Sequence, residues 1–444
     1  MPMHTTSGTE LALLPAEESC PYEYWVPWLK NLALEVISKT HISRRIGNKY
    51  SAEDFWEVLI LHTMMNLSID EASNELNRMK WEQLNRHRRR KRFSKKICSK
   101  TRKFERLCPH GDQVRKYRQM LPMWIAKKVN QVIFLAQINY ALREGLIDKN
   151  ISILVDNNDQ WYYGSDRYPA NSFINKSNKG PGTSRRRKYL GIMIRSKKTS
   201  LFCGVSIIKK GHSNVPDIMG CIDQLIIEGF QIDYVLGDRW FPTYEFFAEL
   251  HVRGIHYVGP YKKWSPIKKL LEDFLKNGGN YIRKYTIKGA PKKYYHSPGI
   301  PVWLILTNRQ GRRLRDIRRD FKQKKMNLQD AMKEIMVMVT TFPPPVGIKQ
   351  KQGWAVGICR KYDRRWQIET GFRDLNRISP PSNAHTNVRK FLMRSTQYWA
   401  YNTWQLERAK RKIKGQIPKS WKQGPTLRQF SHAQIRMYRA SLVF

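Results

Sequence analysis

Acidic residues are scarce. The chain sets 36 Asp and Glu against 81 Lys and Arg in 444 residues, a formal charge of +45. A compact chain with that self-repulsion is stabilised by a polyanion, and the candidates are nucleic acid and an anionic membrane. Long apolar runs are lacking too. No stretch reaches the roughly 18 residues of a spanning helix, and Met1 to Pro15 has no basic-then-apolar order of an export signal. The basic residues are spread along the chain rather than gathered on one amphipathic segment, which argues against a membrane surface and leaves nucleic acid. Cysteine is sparse: Cys20, Cys98, Cys108, Cys203, Cys221 and Cys359 are too few for a disulfide framework, and a reducing compartment is expected. Cys98, Cys108 and His110 lack a CxxC pair and a fourth ligand, so no structural zinc is expected. Lys179-Gly-Pro-Gly182 is followed by no GK[ST], so it is no phosphate-binding P-loop and no nucleotide cofactor is expected. Against these absences stand 41% hydrophobic and 12% aromatic residues, too many for a disordered chain. The length suits about three domains.

The first 20 residues read as disordered or extended, and residues 21–146 as helical. Ser51-Ala-Glu-Asp begins one helix, and Ser68-Ile-Asp-Glu71 is a capping box that begins another. Ile69, Ala72, Leu76 and Met79 recur at helical spacing. Two helices joined through Met65-Asn66-Leu67 fit either a helix-turn-helix, with its second helix in a DNA groove, or an ordinary helical hairpin. The run Arg86-His-Arg-Arg-Arg-Lys-Arg92 then continues basic with no acid until Glu105. Because it lies between helical segments and carries Phe93 and Phe104, Arg88, Arg89, Arg90 and Arg92 are taken as phosphate ligands rather than a solvated face. A long amphipathic stretch from Gln113 to Leu146 is broken at Pro122.

The composition changes near Asn150. Ile151 to Asp156 is a short apolar strand ending in an acid, and Ile232 to Asp238 is another. Between them come strands at Tyr189 to Arg195 and Leu201 to Ile208 and a helix at Asp217 to Glu228, with Arg185 to Lys188 in a mobile basic loop. A helix at Thr243 to Arg253 and a strand at Ile255 to Val258 follow. Strands alternating with helices predict a mixed α/β sheet over residues 147–277. Residues 278–357 read as a β-rich insertion with strands at Tyr281 to Ile287, Lys292 to His296 and Val302 to Thr307 and a helix at Leu328 to Val337. Helices at Arg360 to Arg377 and Val388 to Lys412 complete the core over 358–414, ahead of a basic tail at 415–444.

Asp156 and Asp238 share one context: each leaves the carboxyl end of a strand, where sites on α/β sheets are built. Two carboxylates side by side repel unless a cation lies between them, which asks for hard ions such as Mg²⁺. The alternative is that both are turn formers. Glu369 adds a third acid, in line on its helix with Tyr362 and Arg365 and close to Trp366 and Phe372. A solvated face rarely carries that set of aromatics.

These residues resemble the DDE-type, RNase H-like transposases of prokaryotic insertion sequences, in the branch (the IS-four superfamily) with a Tyr-x2-Arg-x3-Glu-x6-Lys signature. Tyr362, Arg365 and Glu369 match its spacing. Asp156 with Trp161-Tyr-Tyr-Gly164, and Gly237-Asp-Arg-Trp-Phe241, are similar to its first- and second-Asp segments. The resemblance runs from about Ser51 to Lys412. Two positions depart from it: Asn158 stands where Thr is common, and Asn376 stands at the signature Lys, with Arg377 or Arg373 left to supply that contact. Asp159 rivals Asp156 as first ligand but lies past the expected strand.

The resemblance implies an RNase H-like core with an N-terminal helical region and a β-rich insertion. It further implies that Asp156, Asp238 and Glu369 are catalytic and hold two divalent ions, Mg²⁺ or Mn²⁺, while Tyr362, Arg365, Arg373 and Arg377 bind DNA near the cleaved phosphate. Trp240 or Trp366 could stack on an unpaired base, although packing explains either. The expected activity is cut-and-paste DNA transposition, by a homodimer in a synaptic complex with double-stranded DNA on the prokaryotic nucleoid in the cytoplasm. An RNase H-fold nuclease without strand transfer, and an inactive DNA-binding relic, remain as alternatives.

Overall fold

The computed structural model describes residues 25–39, 50–90, 106–163, 173–180, 182–289, 299–308, 312–378 and 387–415, with Thr426, Leu427, Phe430 and Gln434. Its first part is five helices: Trp25–Ser38 (α1), Ala52–Met64 (α2), Ile69–Arg90 (α3), Gly111–Met120 (α4) and Met123–Arg143 (α5). Both capping motifs read from the sequence are present. Asp54 N–H donates to the Ser51 hydroxyl while the Asp54 carboxylate accepts from Ser51 N–H, and Ser68 and Glu71 exchange the same two bonds. Asn66 turns the chain between α2 and α3 with φ 52°, and Pro122 separates α4 from α5.

Every residue of α2 from Phe55 to Met64 is buried. Its partners include the last long helix among the described residues, Asn387–Ile413 (α13), through a hydroxyl contact of 2.6 Å between Thr63 and Thr396. Trp399 Nε1 donates to Asn130 Oδ1 (2.9 Å), and Asn402 Nδ2 donates to Gln137 Oε1 (2.9 Å). The helical part therefore shares its core with α13, and these amide contacts fix the register of α5 on α13.

Nine strands among the described residues form one mixed sheet flanked by helices, as the sequence leads one to expect. The strands are β1 (Asn150–Trp161), β2 (Ile174–Gly180), β3 (Thr183–Arg195), β4 (Ser200–Ile207), β5 (Gln231–Gly237), β6 (His256–Pro260), β7 (Ile282–Ile287), β8 (Ile300–Asn308) and β9 (Ile335–Thr340). Interspersed helices are α6 (Val215–Ile227), α7 (Tyr244–Val252), α8 (Ser265–Asn277), α9 (Leu314–Lys322), α10 (Leu328–Glu334), α11 (Ile348–Asp363) and α12 (Trp366–Arg377). In the core, β4 and β3 are antiparallel, β3 is antiparallel to β1, and β1, β5 and β6 run parallel, joined by α6 and α7. That order, β4-β3-β1-β5-β6, is the RNase H-like arrangement.

Four local expectations are corrected. β1 does not stop at Asp156 but continues to Trp161, because its polar half faces a cationic half of β3: Asp159 pairs with Lys188 in register and with Arg186 at 3.0 Å, and Arg186 lies 3.7 Å over the Trp161 ring. For the same reason Arg185 to Lys188, expected in a mobile loop, is strand. The expected helix Leu328 to Val337 ends at Glu334, and Ile335 to Thr340 is β9, held between β6 and β8. A six-residue apolar run fits either period, and the neighbouring strands decide. The expected helix Arg360 to Arg377 is two helices, broken at Arg364-Arg365. The strands after residue 278 extend the main sheet outward from β6 in the order β9, β8, β7; the strand expected at Lys292 to His296 lies outside the described residues.

Candidate active site

The parallel register of β1 and β5 aligns Val155 with Gly237, so the next residues, Asp156 and Asp238, stand side by side where that pairing ends. Adjacent strands are about 4.8 Å apart. Asp156 is thus not at the end of its strand, but it is where the pairing with β5 ends. Its carboxylate accepts from Asn157 N–H (2.8 Å), and that of Asp238 accepts from Arg239 N–H (2.7 Å). Below them the Tyr257 hydroxyl donates to the Gly237 carbonyl at 3.1 Å. The rival acid Asp159 is engaged by Arg186.

Glu369 arrives from α12, and a glycine sets its height. Gly191 lies opposite Asp156 in the β1–β3 ladder, and a Cβ on it would lie 2.6 Å from the Phe372 ring, one turn beyond Glu369. Phe372 in turn stacks on Phe202 of β4. Only a residue without a side chain at 191 lets α12 rest this close to Asp156.

Arg365 occupies the centre. Its Nη1 donates to Asp156 Oδ2 at 2.7 Å and its Nη2 to Glu369 Oε1. The Arg365 and Asp156 side chains are 13% and 15% exposed, whereas Glu369 is 55% exposed. The helix break follows from this. Arg365 N–H donates to the Tyr362 carbonyl three residues back (2.8 Å), tightening the turn while its guanidinium reaches into the sheet. The Tyr362 ring lies 5.6 Å from that guanidinium.

The electrostatics are those of crowded acids around one cation. Burial pushes the Asp156 carboxyl up to about 6, Arg365 counteracts it, and the charges of Asp238 and Glu369 add to the rise. Burial works against the charge of Arg365, but Asp156, Tyr362 and Glu369 hold its pKa above the usual value. Burial raises the Tyr362 phenol to about 12. Three carboxylates supply hard oxygen donors, the chemistry a divalent ion takes. Among the described residues, however, no three His, Cys, Asp or Glu groups are gathered closely enough to hold one ion. Arg365 bridges Asp156 and Glu369. In its chemistry the donor set is the kind such ions take, with Arg365 standing between two of its members.

The remaining expected residues are placed as follows. Arg373 and Arg377 are exposed on α12, with Arg377 3.4 Å from Asp374. Asn376, at the signature Lys position, accepts from Arg394 at 3.1 Å. Arg88, Arg89 and Arg90 belong to the last turn of α3, with side chains outside the description, and Arg92 lies outside the described residues. Trp366 and Trp240 are exposed, so packing does not account for either. Sequence reasoning missed Lys262, whose ammonium lies 3.7 Å over Trp240 and 5.0 Å from the Trp264 ring. Its one signal was the pairing of two Trp residues with a Lys around the second acid.

A mixed sheet carries its acids where the pairing of two adjacent parallel strands ends, on a chain of +45 that suits a polyanion. The match of its residues 175–403 to the transposase DDE domain identifies the chain as a member of that family, whose business is DNA transposition. The matched segment contains Asp238, Tyr362, Arg365 and Glu369 and begins after Asp156. No curated protein sequence matches the chain. Among solved structures it is similar to a piggyBac transposase in a synaptic complex with hairpin DNA, at 10% identity and a TM-score of 0.45 over 94% of this chain and 77% of that one.

Proposed function

We propose that the chain is a DNA transposase that binds the ends of its element and catalyses strand cleavage and strand transfer. The observation that carries the reading is the meeting of Asp156, Asp238 and Glu369 around Arg365, within a transposase domain. Asp156, Asp238 and Glu369 would hold two divalent ions, Mg²⁺ or Mn²⁺. Such ions, when bound, stabilise the attacking and leaving oxygens of an in-line displacement at phosphorus. The chain's own groups do the positioning. The Arg365 fork and the Tyr362 phenol suit phosphate oxygens of a DNA end, and the exposed Arg373 and Arg377 extend that contact along α12. Trp240 and Trp366, both exposed beside the acids, offer faces for an unpaired base. The working unit in this reading is a homodimer that brings two DNA ends together.

Incubating the protein with Mg²⁺, a labelled element end and a target plasmid tests the proposal. Joined product is expected. Nicked DNA without joined product would make the chain a nuclease of this fold, and the absence of metal-dependent nicking would make it a DNA-binding relic.

A further inference from the structure

Asp156 has Gly191 opposite it in the β1–β3 ladder and Arg365 on its carboxylate. Glu369 is bonded to the same guanidinium. Asp238 has neither support. The pairing of β5 with β1 ends at Gly237 and that with β6 at Leu236, so Asp238 stands past the last ladder contact on both sides. Beyond it Arg239 and Trp240 are exposed, in a turn that the Phe241 N–H closes on the Asp238 carbonyl (3.0 Å). A carboxylate at the junction of a buried strand and an exposed turn goes where the peptide before it is held.

That peptide is held from the next strand. Tyr257 lies opposite Val235 in the β5–β6 register. Its side chain runs forward along the sheet, and its hydroxyl donates to the Gly237 carbonyl at 3.1 Å and lies 3.5 Å from that of Asp238. The ring is fully buried and meets Phe246 and Phe247 edge-on, at centroid distances of 5.7 and 5.2 Å. In that apolar setting a phenylalanine would fill the space without the cost of desolvating a hydroxyl, so the bond accounts for the hydroxyl. Burial holds the phenol well above its usual pKa, with Tyr362 and Asp238 adding to the rise, and it therefore stays a donor. Gly259 makes the room. A Cβ there would lie 2.3 Å from the Tyr257 hydroxyl and 2.5 Å from the Gly237 oxygen, so only glycine lets those two groups meet.

We propose that Tyr257 is a positioning residue for the second acid: its hydroxyl, seated beside Gly259 on the Gly237 carbonyl, fixes the peptide from which Asp238 departs, and with it the place where that carboxylate meets a divalent ion. The proposal rests on the functional reading for the ion and on the geometry for the contact. Tyr257 touches neither metal nor DNA and acts only through Asp238. Groups that orient a metal ligand from behind are worth roughly 10–100-fold in metal affinity or activity.

Tyr257→Phe in the full chain removes the hydroxyl and keeps the ring. The readouts are Mn²⁺ affinity by calorimetry, the Mn²⁺ dependence of nicking on a labelled element end, and duplex affinity by gel shift. The variant should bind Mn²⁺ about tenfold or more weakly and need correspondingly more of it for half-maximal nicking. It should bind the duplex as the wild type does. Tyr117→Phe controls for lost stability: it deletes another buried hydroxyl, which accepts from Trp56 Nε1 (3.1 Å) in the helical part, and should leave Mn²⁺ affinity unchanged. Gly259→Ala, which forces the hydroxyl off the carbonyl, should repeat the loss seen in Tyr257→Phe, and it decides alone if Tyr257→Phe does not fold. Wild-type Mn²⁺ dependence in the deciding variant overturns the positioning role, and so does an equal loss in Tyr117→Phe. A wild type that neither binds Mn²⁺ nor nicks with it refutes the functional reading, and the positioning role with it.

Discussion

Replacing Arg365 by Ala removes the cation that stands between Asp156 and Glu369. Asp156 loses a charge-assisted bond of 2.7 Å in a setting only 15% exposed. Such a bond is worth about 1.5–3 kcal/mol, and the Glu369 pair, more than half exposed, adds little. With about 2 cal/mol/K of unfolding entropy per residue, a chain of this length should melt roughly 2–3 °C lower in EDTA. Mn²⁺ should then restore stability of about the size lost, because nothing competes with it for the two carboxylates. At about a hundredfold excess over its dissociation constant an ion stabilises by roughly 2.7 kcal/mol. The assay is thermal melting of wild type and Arg365→Ala across a Mn²⁺ titration, with calorimetric affinity as the second readout. The variant should bind Mn²⁺ more tightly than the wild type yet nick DNA ends poorly at saturating metal, because the phosphate is no longer held in place. A variant that melts like the wild type in EDTA and binds Mn²⁺ no better would refute the bridging role. Full recovery of nicking by Mn²⁺ would refute the contact to the DNA end.

Asp156→Ala, Asp238→Ala and Glu369→Ala should each abolish metal-dependent nicking while a gel shift with duplex DNA stays near wild type; a variant that nicks at the wild-type rate loses its place in the triad. Gly191→Val should fold with a penalty of at least 1–3 kcal/mol from overpacking against Phe372 and should lose nicking, since α12 must lift with Glu369 on it; unchanged activity would mean that Glu369 is not held by this contact. Neutralising Arg88, Arg89, Arg90 and Arg92 together should flatten the salt dependence of DNA affinity by up to about 0.9 per phosphate contact removed. An unchanged slope would show that the run does not touch DNA.

What the sequence disclosed is what local chemistry or spacing encodes. The caps at Ser51 and Ser68 need only a hydroxyl and an acid three residues on, so α2 and α3 begin where expected. Apolar runs ending in Asp156 and Asp238 located both acids, because their strands are buried parallel ones. Where the reading missed, a distant partner decided the matter. The polar half of β1 is strand only because β3 faces it with Arg186 and Lys188. β9 is strand only because β6 and β8 flank it. The break between α11 and α12 has no Pro or Gly to announce it; its cause is a bond from Arg365 to an acid 209 residues away.

The structure places Arg365 between two acids, and the proposed function asks it to grip a phosphate as well. A guanidinium has five N–H donors in one plane, and two of its nitrogens are taken by Asp156 and Glu369. It cannot keep both acids and grip a phosphate in the same geometry. A DNA end that draws Arg365 away leaves Asp156, Glu369 and the neighbouring Asp238 without their cation, and like charges so close favour another. By linkage, DNA that takes Arg365 raises the affinity of the acids for divalent ions, and those ions raise the affinity for that DNA by the same factor. Without DNA, the guanidinium offsets the charge of Asp156 and Glu369. On the proposed function, the residue that holds the acids in the free protein is the one that couples metal binding to the DNA end.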